Sequence, residues 1–358
     1  MPILILFGFI TSFFLSIFII PSLIHLANEK KLFDVPDFRK VHQKPISSLG
    51  GVAIFCAIWL SLLGFAEWQF LFELRLVLLG SFILFLIGIK DDLIGTSPQK
   101  RLLGQLLAAG LCFYSGFQLD GFYGLFDITE LPIFITFPLT ILTIVLIINA
   151  FNLIDGINGL AGSLGILAAL YFTYSFWQVN LINWALVAVI ISGSIAGFLK
   201  YNFGRASIFM GDNGSTLIGL LIAVFFIKWL NTKYYDLGDP SALVSVIGII
   251  FIPVFDLIRV FLVRIFNRKS PFSPDKTHLH HFLLAMGKNH VWACLFILGM
   301  QFLAIGAGNY FVDKWGITLS LIITIAVELA IVIGLNISLG LTNIKNVESD
   351  KYIIGLKE

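Results

Sequence analysis

Apolar residues in this chain come in unbroken runs of about 20, separated by short polar breaks, and not in the alternation of a half-buried strand. Eleven runs can be drawn, at 3–27, 47–66, 71–89, 101–119, 132–151, 159–178, 182–200, 212–230, 242–264, 291–311 and 316–340. Each is long enough to cross a bilayer as a helix, whereas a membrane barrel shows shorter alternating segments. The pattern predicts an all-α, polytopic helical membrane protein with about 11 transmembrane helices (10–11). The first run resembles a signal peptide in position only. No basic residue precedes it, it is too long for a signal's apolar region, and no small-residue cleavage site follows, so it reads as a retained span.

Basic residues orient these spans. Of the 23 Lys and Arg, all but Arg75, Lys228, Lys233 and Lys314 fall on the side reached after the first span. The positive-inside rule therefore predicts an N-terminus outside and a C-terminus in the cytoplasm. It gives one transmembrane domain over 1–340, with cytoplasmic loops 28–46, 90–100, 200–212 and 265–290, and a cytoplasmic tail over 341–358. Composition agrees: 58% of the 358 residues are hydrophobic and 12% charged, against about 45–50% apolar in soluble domains. The net charge of +2 gives no argument for nucleic acid. Cys56, Cys112 and Cys294 stand singly, which suggests neither a disulfide framework nor a thiolate metal site.

Four clusters of polar and ionisable residues interrupt the apolar pattern, and the predicted topology puts all four on the cytoplasmic face. Asp91-Asp92 closes the third span. Adjacent carboxylates repel, and a divalent cation relieves the repulsion; Mg²⁺ commonly takes one or two carboxylates plus substrate phosphates. Solvated loop aspartates are the plainer alternative. Asn152-Leu153-Ile154-Asp155-Gly156-Ile157-Asn158-Gly159 joins spans five and six, and suits either a tight turn or a site for a nucleobase or metal. Gly211-Asp212-Asn213 opens the eighth span. There Asp212 is either a helix N-cap or a metal ligand beside a helix N-terminus that favours phosphate. His278-Leu279-His280-His281 lies in the longest cytoplasmic loop, where imidazolium and Lys276 would clamp phosphates. Pro253 and Asp256 read as a kink and a partner for Arg259 or Arg264.

Together these strings resemble the polyprenyl-phosphate N-acetylhexosamine-1-phosphate transferase family (glycosyltransferase 4-like). They are Ser48-Leu49-Gly50-Gly51, Asp91-Asp92, Asn152-Leu153-Ile154-Asp155-Gly156, Phe209-Met210-Gly211-Asp212-Asn213-Gly214-Ser215 and His278-Leu279-His280-His281, and in this order they are highly specific. The resemblance implies transfer of N-acetylhexosamine-1-phosphate from a UDP-sugar to undecaprenyl phosphate, with release of UMP. This would be the first membrane step of a cell-envelope polysaccharide such as O-antigen. It implies Mg²⁺ (or Mn²⁺), the bacterial inner (plasma) membrane, and an active site on the cytoplasmic face. It allows a homodimer. The His-x-His-His pattern resembles the N-acetylglucosamine branch; the muropeptide branch has three consecutive histidines after a Pro.

Carried over residue by residue, the resemblance makes Asp91, Asp92, Asp212, His278, His280 and His281 catalytic. It makes Lys44, Ser48, Lys100, Arg101, Asn152, Asp155, Asn158 and Lys276 substrate-binding, and Asp212, Asp155, Asp91 and Asp92 the metal ligands. Two positions depart from the family pattern: Asn158 replaces an Asp, and Arg101 replaces a Lys, with Lys100 adjacent. Two rivals stand beside this reading. One is a phospho-N-acetylmuramoyl-pentapeptide transferase. The other is an ion-coupled transporter, which would more often show inverted repeats and midplane acids.

Overall fold

The structure, a computed structural model, describes residues 2–32, 46–125, 128, 130–239, 241–268, 270 and 278–355. These residues form helices and no strand beyond one isolated bridge residue at Ile46. In chain order they are α1 (Pro2–Lys30), α2 (Gly50–Phe65), α3 (Trp68–Glu73), α4 (Arg75–Ile94), α5 (Pro98–Tyr114), α6 (Ile133–Ile154), α7 (Leu160–Gln178), α8 (Ile182–Asn202), α9 (Gly211–Asn231), α10 (Ala242–Phe266), α11 (Leu279–Ala285) and α12 (His290–Gly355). A π-helical turn, Thr232–Asp236, extends α9. α12 is broken at Gly316, whose φ of 75° interrupts the helix, so two apolar segments, His290–Val312 and Lys314–Leu335, lie within it.

Among the described residues, eight helical segments are long and apolar enough to cross a membrane. The expected spans at 47–66, 71–89 and 101–119 carry α2, α4 and α5, which are shorter or more charged. Short α3 occupies the link expected between the second and third spans and the first residues of the span expected at 71–89, which α4 then continues. Helix α4 also runs past its apolar part, so Asp91 and Asp92 stand on its last turns and not in a loop beginning at residue 90. The histidine loop likewise contains the short helix α11, which His278 precedes.

Helix α9 is the axis of the bundle. From Asn213 to Leu230 nearly every side chain is buried, as befits a helix that is apolar on all sides. Helices α2, α4, α6 and α7 pack around it. Two glycines set the closest approaches. A Cβ on Gly88 of α4 would overlap the Asn213 backbone, and one on Gly51 of α2 would overlap Gly214. Backbone bonds from Gly50 N–H to the Phe209 carbonyl (2.9 Å) and from Gly51 N–H to the Met210 carbonyl (2.8 Å) tie the start of α2 to the approach to α9. Three helices thus meet at one end of the bundle with almost no side chain between them.

Elsewhere α10 carries Pro253 in its interior. One turn before it, the Gln301 carboxamide from α12 replaces a helical bond: its Oε1 accepts from Ile252 N–H (3.0 Å) and its Nε2 donates to the Gly248 carbonyl. Backbone groups freed near a proline in a spanning helix need such a partner, because hydrocarbon offers none.

Candidate active site

The end where α2, α4 and α9 meet also receives the start of α5 and the end of α6, and it gathers four aspartates. One guanidinium nitrogen of Arg101, in the first turn of α5, donates to Asp91 Oδ2 (3.0 Å) and to Asp212 Oδ2 (2.9 Å). The other oxygen of Asp212 accepts from Asn152 Nδ2 (2.9 Å), which also reaches Ser215 Oγ (3.0 Å). Asp155 follows α6 directly, where the Asp92 and Asp212 carboxylates act on it.

Asp92 plays a distinct part. Its Oδ1 accepts from the backbone N–H of Asp212 (3.0 Å) and its Oδ2 from that of Asn213 (3.2 Å). The Asn213 side chain donates to the same Oδ2 and to the Ser48 carbonyl (3.0 Å). Asp92 therefore caps α9 from a neighbouring helix. This corrects two expectations. Asp212 is not the cap: Met210 holds that position without a side-chain bond, and Asp212 lies inside the first turn. Nor are these two first-turn N–H groups open to a phosphate, since a carboxylate already holds them.

The acids strain against one another. Beyond the apolar part of α4, burial and then the neighbouring Asp212 push Asp92 up to about 7. Burial and the same neighbour push Asp91 up to about 6, against the lowering pull of Arg101. Asp155 is raised well above the usual carboxylate range, by burial and then by Asp212 and Asp92. Like charges held together in a partly dry site ionise reluctantly. Arg101 supplies one positive charge to this group, and its side chain stays 37% exposed. One arm of its guanidinium fork is held by two carboxylates.

The histidine turn folds onto the same end. His278 is held through Nδ1 by Asp256 Oδ2 (2.9 Å), whose other oxygen accepts from Leu279 N–H (3.1 Å) and from Arg259 (2.6 Å). Asp256 thus fixes the start of α11 to α10. His280 is buried between His278 and His281, and its ring lies so close to Gly156 that a Cβ there would overlap it. Its two ring nitrogens make no hydrogen bond among the described residues. Burial, with the neighbouring His281, lowers its pKa to about 3. Burial therefore disfavours the imidazolium form of His280.

Other expected residues fall as follows. Asn158 donates through Nδ2 to the Gly204 carbonyl (2.8 Å), and its backbone N–H meets His290 Nδ1 (3.2 Å); its side chain braces a loop. Ser48 contributes its carbonyl to Asn213. Lys100 is exposed. Lys44 and Lys276 lie outside the described residues. Sequence reasoning missed the pair formed by buried Gln105 and part-buried Asn149, whose carboxamides bond reciprocally (3.3 and 2.8 Å) and join α5 to α6. The signal was present: Gln105 lies four residues from Arg101 and Asn149 three from Asn152, so each shares a helix face with a site residue.

No three described His, Cys, Asp or Glu side chains are close enough to cage a metal alone. The donor set nevertheless suits Mg²⁺. Hard carboxylate oxygens converge with too little positive charge between them, and Mg²⁺ usually completes its shell from water and substrate phosphates.

These features define a polytopic helical membrane protein whose polar chemistry is concentrated at one end of the bundle. The sequence model of glycosyl transferase family 4 matches residues 74–230, from the end of α3 through α9. A probable undecaprenyl-phosphate N-acetylglucosaminyl 1-phosphate transferase of Bacillus subtilis is 34% identical over 302 residues, 83% of this chain and 82% of that protein. An undecaprenyl-phosphate alpha-N-acetylglucosaminyl 1-phosphate transferase of Haemophilus influenzae is 34% identical over 305 residues, covering 81% of this chain and 83% of the relative. A decaprenyl-phosphate N-acetylglucosaminephosphotransferase of Mycobacterium leprae is 32% identical over 316 residues, covering 79% of this chain and 78% of the relative. The chain belongs to glycosyl transferase family 4.

Proposed function

We propose that this enzyme transfers N-acetylglucosamine-1-phosphate from UDP-N-acetylglucosamine to undecaprenyl phosphate, at the cytoplasmic face of a bacterial inner membrane. The observation that carries the reading is the convergence of Asp91, Asp92, Asp155 and Asp212 with Arg101 and the histidine turn at one end of a membrane bundle. The names of the relatives support the polyprenyl phosphate acceptor and the N-acetylglucosamine 1-phosphate group; the UDP donor follows from the family resemblance.

The reaction balances simply. An oxygen of the lipid phosphate forms a bond to the sugar-linked phosphorus of the donor. The bond from that phosphorus to the oxygen bridging the two phosphates breaks, and UMP leaves with the electron pair. A phosphate monoester has a second pKa near 6, so the nucleophile is mostly dianionic at neutral pH and needs little help from a base. Catalysis then rests on positioning and charge neutralisation. Asp212, with Asp91 or Asp155, would hold Mg²⁺, which when bound neutralises charge on the diphosphate. Arg101, already oriented by Asp91 and Asp212, presents its free arm to a phosphate oxygen. Asn152 keeps Asp212 aimed. His280 and the Asp256-anchored His278 form a wall over Gly156 that orients the donor. Asp92 is committed to the α9 terminus and acts by holding Asp212 in place.

The test is UMP release by purified protein given UDP-N-acetylglucosamine, polyprenyl phosphate and Mg²⁺. Release that needs all three is expected. Equal turnover in excess chelator would remove the metal from the scheme. Release without lipid would mean hydrolysis. Preference for a UDP-muropeptide would move the chain to its sister branch.

A further inference from the structure

The helices that build the site also build a cavity at their other ends. It has a volume of about 460 Å³, and its lining includes Glu73, Arg75, Ser115, Trp184, Lys228 and Asn231. Arg75 opens α4, which carries Asp91 near its far end. Lys228 stands near the end of α9, which begins beside Asp212. At 1.5 Å per residue, each pair is about 24 Å apart along its helix, close to the thickness of a bilayer core. The cavity therefore belongs to the opposite membrane interface and is separate from the carboxylate site.

Its chemistry is unusual for that face. Of the four basic residues that the topology places there, two line this one cavity. Lys228 is partly buried, and among the described residues its ammonium contacts only the Trp184 ring (5.9 Å). Arg75 is exposed; it lies over the Phe72 ring (3.9 Å) and donates to the Phe72 carbonyl (2.7 Å), which leaves most of its fork unused. Glu73 is the one carboxylate in the lining, and no ion pair joins it to either cation among the described residues. Ser115 and Asn231 form walls: Ser115 bonds the Glu73 carbonyl (3.3 Å) and Asn231 bonds Tyr123 and Gln118. The balance is one excess positive charge, which matches the single negative charge of a phosphodiester. Trp68, Phe72 and Tyr114 stand widely exposed near the cavity's elements, as aromatic side chains do at headgroup level.

We infer that this cavity binds the phosphate of an anionic lipid headgroup in the leaflet opposite the active site. Arg75 and Lys228 hold the phosphate oxygens by charge-assisted hydrogen bonds, while Glu73 accepts from a headgroup hydroxyl. The inference does not depend on the transferase reading, because Asp91 and Asp212 enter it only as markers of depth and no turnover is invoked.

The experiment measures binding to full-length protein in neutral detergent by native mass spectrometry. The probes are short-chain phosphatidylglycerol, phosphatidylcholine of the same chain length, and inorganic phosphate. Saturable binding of phosphatidylglycerol over phosphatidylcholine is expected. Arg75→Gln and Lys228→Gln should each weaken it roughly tenfold, the scale of losing one charge-assisted bond. Lys228→Arg should retain it, which excludes misfolding as the cause. Arg101→Gln, at the other end, should not change it. Equal binding of the two lipids, or unchanged binding in both glutamine variants, would overturn the proposal. Displacement of the lipid by an equal concentration of inorganic phosphate would overturn the headgroup assignment.

Discussion

At the scale of single residues the site separates charge from scaffold. Asp212 holds Arg101 and Asn152 but does not cap its own helix. Asp212→Asn should therefore fold normally and lose at least about a hundredfold in kcat, the cost of removing one electrostatic stabiliser; steady-state UMP release and a melting curve check both halves. Asp91→Asn should behave alike. Asp92→Ala should differ, losing activity together with about 1 kcal/mol of stability, because it removes the α9 cap. The pH dependence follows from the raised acids. A carboxyl whose folded pKa lies above its unfolded value favours folding at low pH, and that contribution is lost as pH rises through the folded value. For Asp91 and Asp92 the window runs from about 4 up to about 6 and 7. Metal-free protein should thus lose thermal stability between about pH 4 and 7, and Mg²⁺ should restore most of it; identical melts with and without Mg²⁺ at pH 8 would count against a metal among these acids. Asn158 departs from the family pattern, and its amide N–H₂ donates to the Gly204 carbonyl. Asn158→Asp would set a carboxylate against that carbonyl, and a drop in melting temperature with unchanged donor preference is the expected result.

Between elements, small polar bridges fix how helices meet. Asp256 ties α10 to the start of α11 through His278, Leu279 and Arg259. Asp256→Asn should raise KM for the UDP-sugar more than it lowers kcat, since the histidine turn loses its anchor while the acidic cluster stays intact; kinetics with the donor varied decide this. Gln301→Leu should destabilise by roughly 1–3 kcal/mol, because Ile252 N–H and the Gly248 carbonyl then lose their partner in a dry interface. These bridges were the least legible part of the sequence. The runs of apolar residues announce the helices, and the order of the polar strings announces the acidic cluster. However, Gln301 sits inside an apolar run as an isolated polar residue, and Asp256, whose pairing with Arg259 was legible in the sequence, meets His278 and Leu279 only because α11 packs on α10. Helix ends were misjudged for a related reason: polarity begins at Lys90, but α4 continues to Ile94 because Asp92 is drawn onto the α9 terminus.

For the molecule as a whole, the proposed orientation makes a direct prediction. A single cysteine at Lys314 should react with a membrane-impermeant maleimide on intact cells, and one at Lys100 should react only after the membrane is opened; both positions are exposed. The opposite pattern would invert the bundle and its site. A last consequence concerns Gly51 and Gly88, which let α2 and α4 touch the backbone of α9 directly beside the acids. Neither residue has any chemistry of its own. A single methyl at either would wedge the helices apart and carry Asp92 away from its cap, so in a saturation-mutagenesis map these glycines should be as intolerant as the carboxylates. The outline of the active site would then appear twice in such a map: once as residues that must be charged, and once as residues that must be absent in all but backbone.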